Sequence, residues 1–136
     1  MKLLSIFIAL FSFLGLATAQ GSQMPVVACS PTGAGVCNFG VAGLVQGNTV
    51  TWNWARIYNN NCQEIGGANG VFVNYLPIDI TSSLPHVLTL GGLSYSNYNW
   101  MAFRYNGWLF NGTPHCKRTT MPGGSVIHTC QKAFNC

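Results

Sequence analysis

The six cysteines of this 136-residue chain, Cys29, Cys37, Cys62, Cys116, Cys130 and Cys136, constrain its fold more than any other feature. Their number is even, and none lies in the first 28 residues. An even set reads as three disulfides if the chain is exported to an oxidising compartment. The N-terminus has the features of export. Lys2 gives a positive start, Leu3 to Leu16 is an apolar run broken only by Ser5, Ser12 and Gly15, and Ala17-Thr18-Ala19 places small residues where a signal peptidase reads them. The run is shorter than the roughly 20 residues of a membrane-spanning helix. Residues 1–19 are therefore expected to be a signal peptide cut before Gln20, and residues 20–136 a single secreted, extracellular β domain. A domain of that size buries roughly two-thirds of its unfolded surface.

Six cysteines allow 15 pairings. Loop closure favours short separations. On that ground Cys29–Cys37 and Cys130–Cys136 are expected, leaving Cys62–Cys116, with each bridge worth roughly 2–4 kcal/mol. The rival use of cysteine is zinc. No C-x-x-C pair is present, and neither a metal nor any other cofactor is expected.

Between the cysteines the periodicity is that of strands. Thr49 to Trp54 alternates, so that Val50, Trp52 and Trp54 are expected on one face and Thr49, Thr51 and Asn53 on the other. Asn59-Asn60-Asn61 reads as a turn, and Gly66-Gly67 as a break. Val71 to Leu76 and His86 to Leu90 read as strands, the second ended by Gly91-Gly92. Pro77 and Pro85 mark edges or loops. Asn106-Gly107 between Trp100–Tyr105 and Trp108–Phe110 is the preferred dipeptide of a type I′ hairpin. Val126 to Cys130 reads as a final strand. The expectation is an all-β fold, a compact disulfide-stapled β-sandwich or small Greek-key barrel of about seven to nine short strands.

Tyr105, Phe110 and Gly112 within that hairpin resemble the Greek-key signature of the βγ-crystallins, a fold also found in yeast killer toxins and fungal secreted proteins. The resemblance covers eight residues and implies a glycine at positive φ folding the hairpin over an aromatic corner.

Charge limits the chemistry. Beyond residue 19 the chain holds Arg56, Arg104, Lys117, Arg118 and Lys132 against Glu64 and Asp79, a net charge of +3. That is too dilute for a nucleic-acid stripe. A two-carboxylate glycosidase would need both Glu64 and Asp79; Asp79, between Ile78 and Ile80, reads instead as an outward strand residue. No G-x-S-x-G elbow is present for a serine hydrolase.

Ala28-Cys29 through Cys37, with Val126-Ile127-His128-Thr129 and a terminal cysteine, resembles the fungal guanyl-specific ribonucleases. That resemblance implies Glu64, Arg104 and His128 as catalytic residues, with His86 or His115 as a second histidine. A carboxylate or imidazole would take the 2′-OH proton, a histidine would protonate the leaving oxygen, and the arginine would hold the phosphate. The chain departs from the family in having no histidine ahead of Glu64 and no helical segment after Cys37.

The other reading is binding. His115, Lys117 and Arg118 surround Cys116 in what reads as a loop bounded by Pro114, a small basic patch suited to an anionic lipid, glycan or protein. Tyr98 and Trp100, aromatic with polar neighbours, offer rigid contact area. Asn111-Gly112-Thr113 is the one N-x-S/T sequon. Taken together, signal peptide, short mature chain, even cysteines and compact β domain resemble the fungal small secreted cysteine-rich proteins of the candidate-effector type. The class implies a protein acting outside the fungal cell, in the apoplast of a host plant, by binding rather than catalysis, and a monomer is expected. Its partner would be a host protein, a glycan or a membrane surface, with no nucleic acid unless the ribonuclease reading holds.

Overall fold

The computed structural model describes residues 27, 29–70, 75–94 and 100–136. The expected signal peptide, Tyr98 and most of the expected Val71–Leu76 strand lie outside them.

Nine antiparallel strands form one sheet: β1 (Val36–Gln46), β2 (Thr49–Tyr58), β3 (Glu64–Asn69), β4 (Ile78–Ser82), β5 (Leu88–Leu93), β6 (Met101–Tyr105), β7 (Trp108–Gly112), β8 (His115–Thr120) and β9 (Val126–Asn135). The described residues form no helix. The strand order is β7-β6-β5-β4-β3-β2-β1-β9-β8. This is a meander to which a C-terminal hairpin, β8–β9, has been added on the far side of β1.

The order has a geometric consequence. Laid flat, nine strands would place β7 and β8 about 38 Å apart. Only Thr113 and Pro114 separate the end of β7 from the start of β8, a link that reaches about 11 Å at most. The sheet must therefore curl until its two edges approach. Aromatic rings fill the gap: Phe110 of β7 lies 5.8 Å from Phe134 of β9, and Phe103 of β6 lies 5.5 Å from the same ring. The ladder is thinnest between β3 and β4, with two residue pairs.

The core lies inside the curl. Phe39, Val41, Trp52, Ile57, Ile80, Leu88, Leu90, Met101 and Phe103 are all fully buried there. β1 is covered on its other face as well, because the segment leading to it folds back over the outside. Val27 packs with Ala42, Tyr58 and Ile127. A Cβ at Gly40 would stand 2.3 Å from Val27 Cγ1, so only glycine admits this second layer.

Trp54 departs from the expected face. Ala42 pairs with Trp54 and Gly43 with Trp52, which leaves Asn53 without an opposite residue. This β-bulge reverses the alternation. Val50 and Trp52 face the core and, past the bulge, so do Ala55 and Ile57. Trp54 and Tyr58 pack on the outer layer instead.

All six cysteines are bonded, but not as expected. The bridges are Cys29–Cys62, Cys37–Cys136 and Cys116–Cys130. Loop entropy ranks pairings in an unstructured chain; here strand pairing overrides it. β1 lies antiparallel to β9 with Val36 opposite Asn135, which brings Cys37 to the C-terminus. Cys116 stands directly opposite Cys130 across the β8–β9 ladder. Cys62 closes the Asn59–Asn61 turn, where Asn59 Oδ1 accepts from the amides of Asn61 and Gln63 at 2.9 and 3.0 Å.

Other boundaries move too. Gly66-Gly67 lies inside β3, β5 begins at Leu88 and runs through Gly91-Gly92, β4 occupies the stretch between the two prolines, and β9 continues past Cys130. The residues around Cys116 are strand β8, not a loop. The Asn106-Gly107 turn is as expected, with φ of 48° and 79° at its two central positions.

Candidate functional site

The three residues of the ribonuclease reading stand on three strands. Glu64 starts β3, Arg104 is on β6 and His128 on β9. β6 and β3 are three ladder steps apart, as are β3 and β9, about 14 Å in each case when followed along the sheet. Their faces differ as well. Arg104 is exposed between buried Phe103 and Tyr105, so it points outward. His128 is buried, its ring 5.7 Å from that of Trp52 in the core. The structure does not bring the three together. Of the other histidines, His86 packs edge-on to Tyr105 at 5.8 Å and lines a cavity of about 210 Å³ with Asp79, Thr81 and Ser82, while His115 is exposed on β8. Asp79 is exposed, as read from sequence, and accepts a hydrogen bond from Thr89 Oγ1 at 2.6 Å.

Glu64 has a partner the sequence reading missed. Its Oε1 lies 3.2 Å from Nε of Arg56. Arg56 is largely buried in β2, and its Nη1 donates to the carbonyls of Ala55 at 2.7 Å and Ala68 at 3.2 Å. Tyr58 joins this group. Burial first, and then the nearby Glu64 carboxylate, raise its phenol above the usual 10.0, with Arg56 pulling the other way. An open cavity of about 450 Å³ borders the pair, lined by Gly66, Gly67, Ala68 and Asn69. A signal was available. Arg56 and Glu64 stand symmetrically about Asn60, so a hairpin turning there places them near one another.

The residues of the binding reading are sorted by β8. In a strand, alternate residues face opposite sides. His115 and Lys117 share one face, while Arg118 shares the other with Cys116, each exposed except Cys116. β8 is an edge strand. Its hairpin partner β9 adds Lys132, and residues 115–135 contain no acidic side chain. The protein's two acidic side chains, Glu64 and Asp79, belong to β3 and β4. Trp100 is exposed at the entry to β6, its ring lying over Gly92, where a Cβ would meet it at 2.6 Å. Asn111 is exposed on β7.

Cys116, His128 and Cys130 bring three potential ligand atoms within 4.8 Å of one another. The two sulfurs are bonded to each other, and the thiolate is the metal-ligating form of cysteine. In the oxidised protein this cluster is a staple packed against a histidine.

Comparison with protein-family models, curated proteins and solved structures gave no match. A functional reading therefore rests on the residues themselves.

Proposed function

We propose that the protein is a secreted effector- or toxin-like factor of fungal type, which acts outside the producing cell by binding an anionic target through its β8–β9 edge. One observation carries the reading. His115, Lys117, Arg118 and Lys132 all belong to the β8–β9 hairpin, with His115 and Lys117 on one face of β8 and Arg118 on the other, and the hairpin has no Asp or Glu, on a chain with little other charge. Like charges clustered at a strand edge steer and hold anions. Three disulfides fit an oxidising, extracellular setting. The leader-like residues 1–19 support the same route.

The test is retention of the purified oxidised protein on a sulfated polysaccharide matrix, beside flotation with anionic vesicles to separate the two sources of negative charge. Retention that weakens with salt, and is lost in Lys117→Glu/Arg118→Glu with the fold intact, is the expected result. Infiltration of both proteins into leaf tissue, scoring cell death and immune suppression, tests the biological half. Equal retention of wild type and variant overturns the assignment of the edge. RNA cleavage by wild type, lost in His128→Ala with the fold intact, overturns the binding reading itself.

A further inference from the structure

Trp108 is the most exposed large apolar residue among those described, at 73% of its surface. It opens β7, the edge opposite to β8 in strand order. An exposed indole on an edge strand invites aggregation unless it serves a contact. Its surroundings are specific. Trp108, Leu109 and Phe110 line a cavity of about 260 Å³ together with Asn106 and Asn135. Among the described residues, the side-chain amides of Asn106 and Asn135 and the Trp108 indole N–H have no hydrogen-bond partner. No charged residue among those described lines the cavity.

We propose that this cavity binds a neutral saccharide, with one pyranose ring lying against the Trp108 indole and its hydroxyls bonded by Asn106 and Asn135. The chemistry selects the class. A carboxamide both donates and accepts, which matches a hydroxyl. An indole gives flat apolar area for the C–H face of a sugar with one N–H at its rim. The absence of charge disfavours sugar acids and phosphorylated ligands. The volume is below that of a pocket for a drug-sized ligand, and suits one ring of a longer glycan.

The walls are fixed before any ligand arrives. Asn106 and Trp108 flank Gly107 in a type I′ turn, with both central residues held at positive φ. Asn135 ends β9 beside Cys136, which is bonded to Cys37 on β1. Phe110 forms the floor, stacked on Phe103 with ring centres 5.1 Å apart. Such preorganisation lowers the entropy lost on binding. This site meets the basic β8–β9 hairpin only at Asn135 and uses none of its basic residues, so either can fail without the other.

The probes are soluble neutral oligosaccharides of β-1,3-glucan, chitin, mannan and xylan, titrated against the oxidised protein with tryptophan fluorescence and calorimetry. Saturable binding of at least one, accompanied by protection of the exposed tryptophan from acrylamide quenching, is expected. Trp108→Ala should weaken it at least about tenfold, and Asn135→Ala several-fold, with an unchanged melting temperature because both side chains are exposed. Trp100→Ala should leave it unchanged. No binding of any probe overturns the proposal, as does binding that survives Trp108→Ala in a folded protein. Concentration-dependent dimerisation abolished by Trp108→Ala, without sugar binding, would instead make this face a contact between copies and also overturn it.

Discussion

His128 turns its ring towards Trp52, 5.7 Å away, and its Nε2 sits 3.4 Å from Cys130 Sγ. A histidine so placed fills space beneath the β8–β9 hairpin. A general acid must reach the substrate, and this imidazole is almost fully covered.

The first prediction follows. His128→Ala should leave a cavity against Trp52 and cost about 3 kcal/mol, a fall in melting temperature on the order of 10 °C. Thermal unfolding followed by near-ultraviolet circular dichroism measures it. Wild type itself should release no nucleotide from RNA. A variant that melts with wild type while losing a real ribonuclease activity would reverse the argument.

The bridges should be unequal. Cys37–Cys136 spans 99 residues and Cys116–Cys130 spans 14. In the chain-entropy account these loops are worth about 4.7 and about 3 kcal/mol. Each bridge has one deeply buried sulfur, Cys37 or Cys130, so the packing losses roughly cancel. The double variant Cys37→Ala/Cys136→Ala should therefore unfold at a lower guanidinium concentration than Cys116→Ala/Cys130→Ala. A peptide map of wild type should show Cys29 joined to Cys62. Recovery of a Cys29–Cys37 peptide instead would refute the observed connectivity.

That connectivity marks where reading from sequence stops. Local signals survived into the structure: the Asn106-Gly107 turn, the Asn59 turn, strand β2 and the all-β class each rest on residues close together in the chain. The disulfides depend on β1 lying beside β9, a pairing between residues about a hundred positions apart, and no local pattern records it. β1 itself reads poorly because both faces are covered and its alternation is broken by Gly40 and Gly43. One extra residue at Asn53 sent Trp54 to the other face. The site was legible only in part. The basic residues His115, Lys117 and Arg118 are neighbours in sequence and remain on one strand, but β8 turns Arg118 to the face opposite the other two. The Asn135 wall of the Trp108 cavity comes from the far end of the chain, and was out of reach for the same reason as the bridges.

Gly107 tests the local half of that contrast. At φ 79° a β-branched residue is strained. Gly107→Val should destabilise the domain by at least about 1 kcal/mol. Open space around the position means the cost is conformational and not a clash, so Gly107→Asn should recover much of it. Equal melting temperatures for all three proteins would show that the turn does not need a left-handed residue here.

Tyr58 should make stability fall in alkali. Its phenol ionises above 10.0 in the folded protein, chiefly because burial penalises the phenolate and then because Glu64 repels it. The neutral phenol also donates to the Val27 carbonyl at 3.2 Å. A pKa raised on folding stabilises below the unfolded value and is lost as pH climbs through the folded one. Wild type should therefore lose stability from about pH 10 upward, whereas Tyr58→Phe should show a shallower decline in that window from a lower starting point. Denaturant midpoints at about pH 9 and about pH 11 give the comparison; parallel curves would remove Tyr58 from the account.

Arg56 and Glu64 form one ion pair, yet its two ends should not be equivalent. The Glu64 side chain is 55% exposed and that of Arg56 only 10%. Glu64→Gln gives up a solvent-screened attraction worth about 0.5 kcal/mol and leaves Arg56 its bonds to the Ala55 and Ala68 carbonyls. Arg56→Ala removes the donor from those carbonyls and the aliphatic stem that packs beneath it, at about 2 kcal/mol. The neutral glutamine also removes the repulsion on Tyr58, whose phenol should then ionise closer to its usual value. Spectrophotometric titration of the tyrosines reads that shift, and urea unfolding reads the asymmetry. Equal costs at the two ends would mean that the ion pair, and not the buried bonding of the guanidinium, holds β2 to β3 at this point.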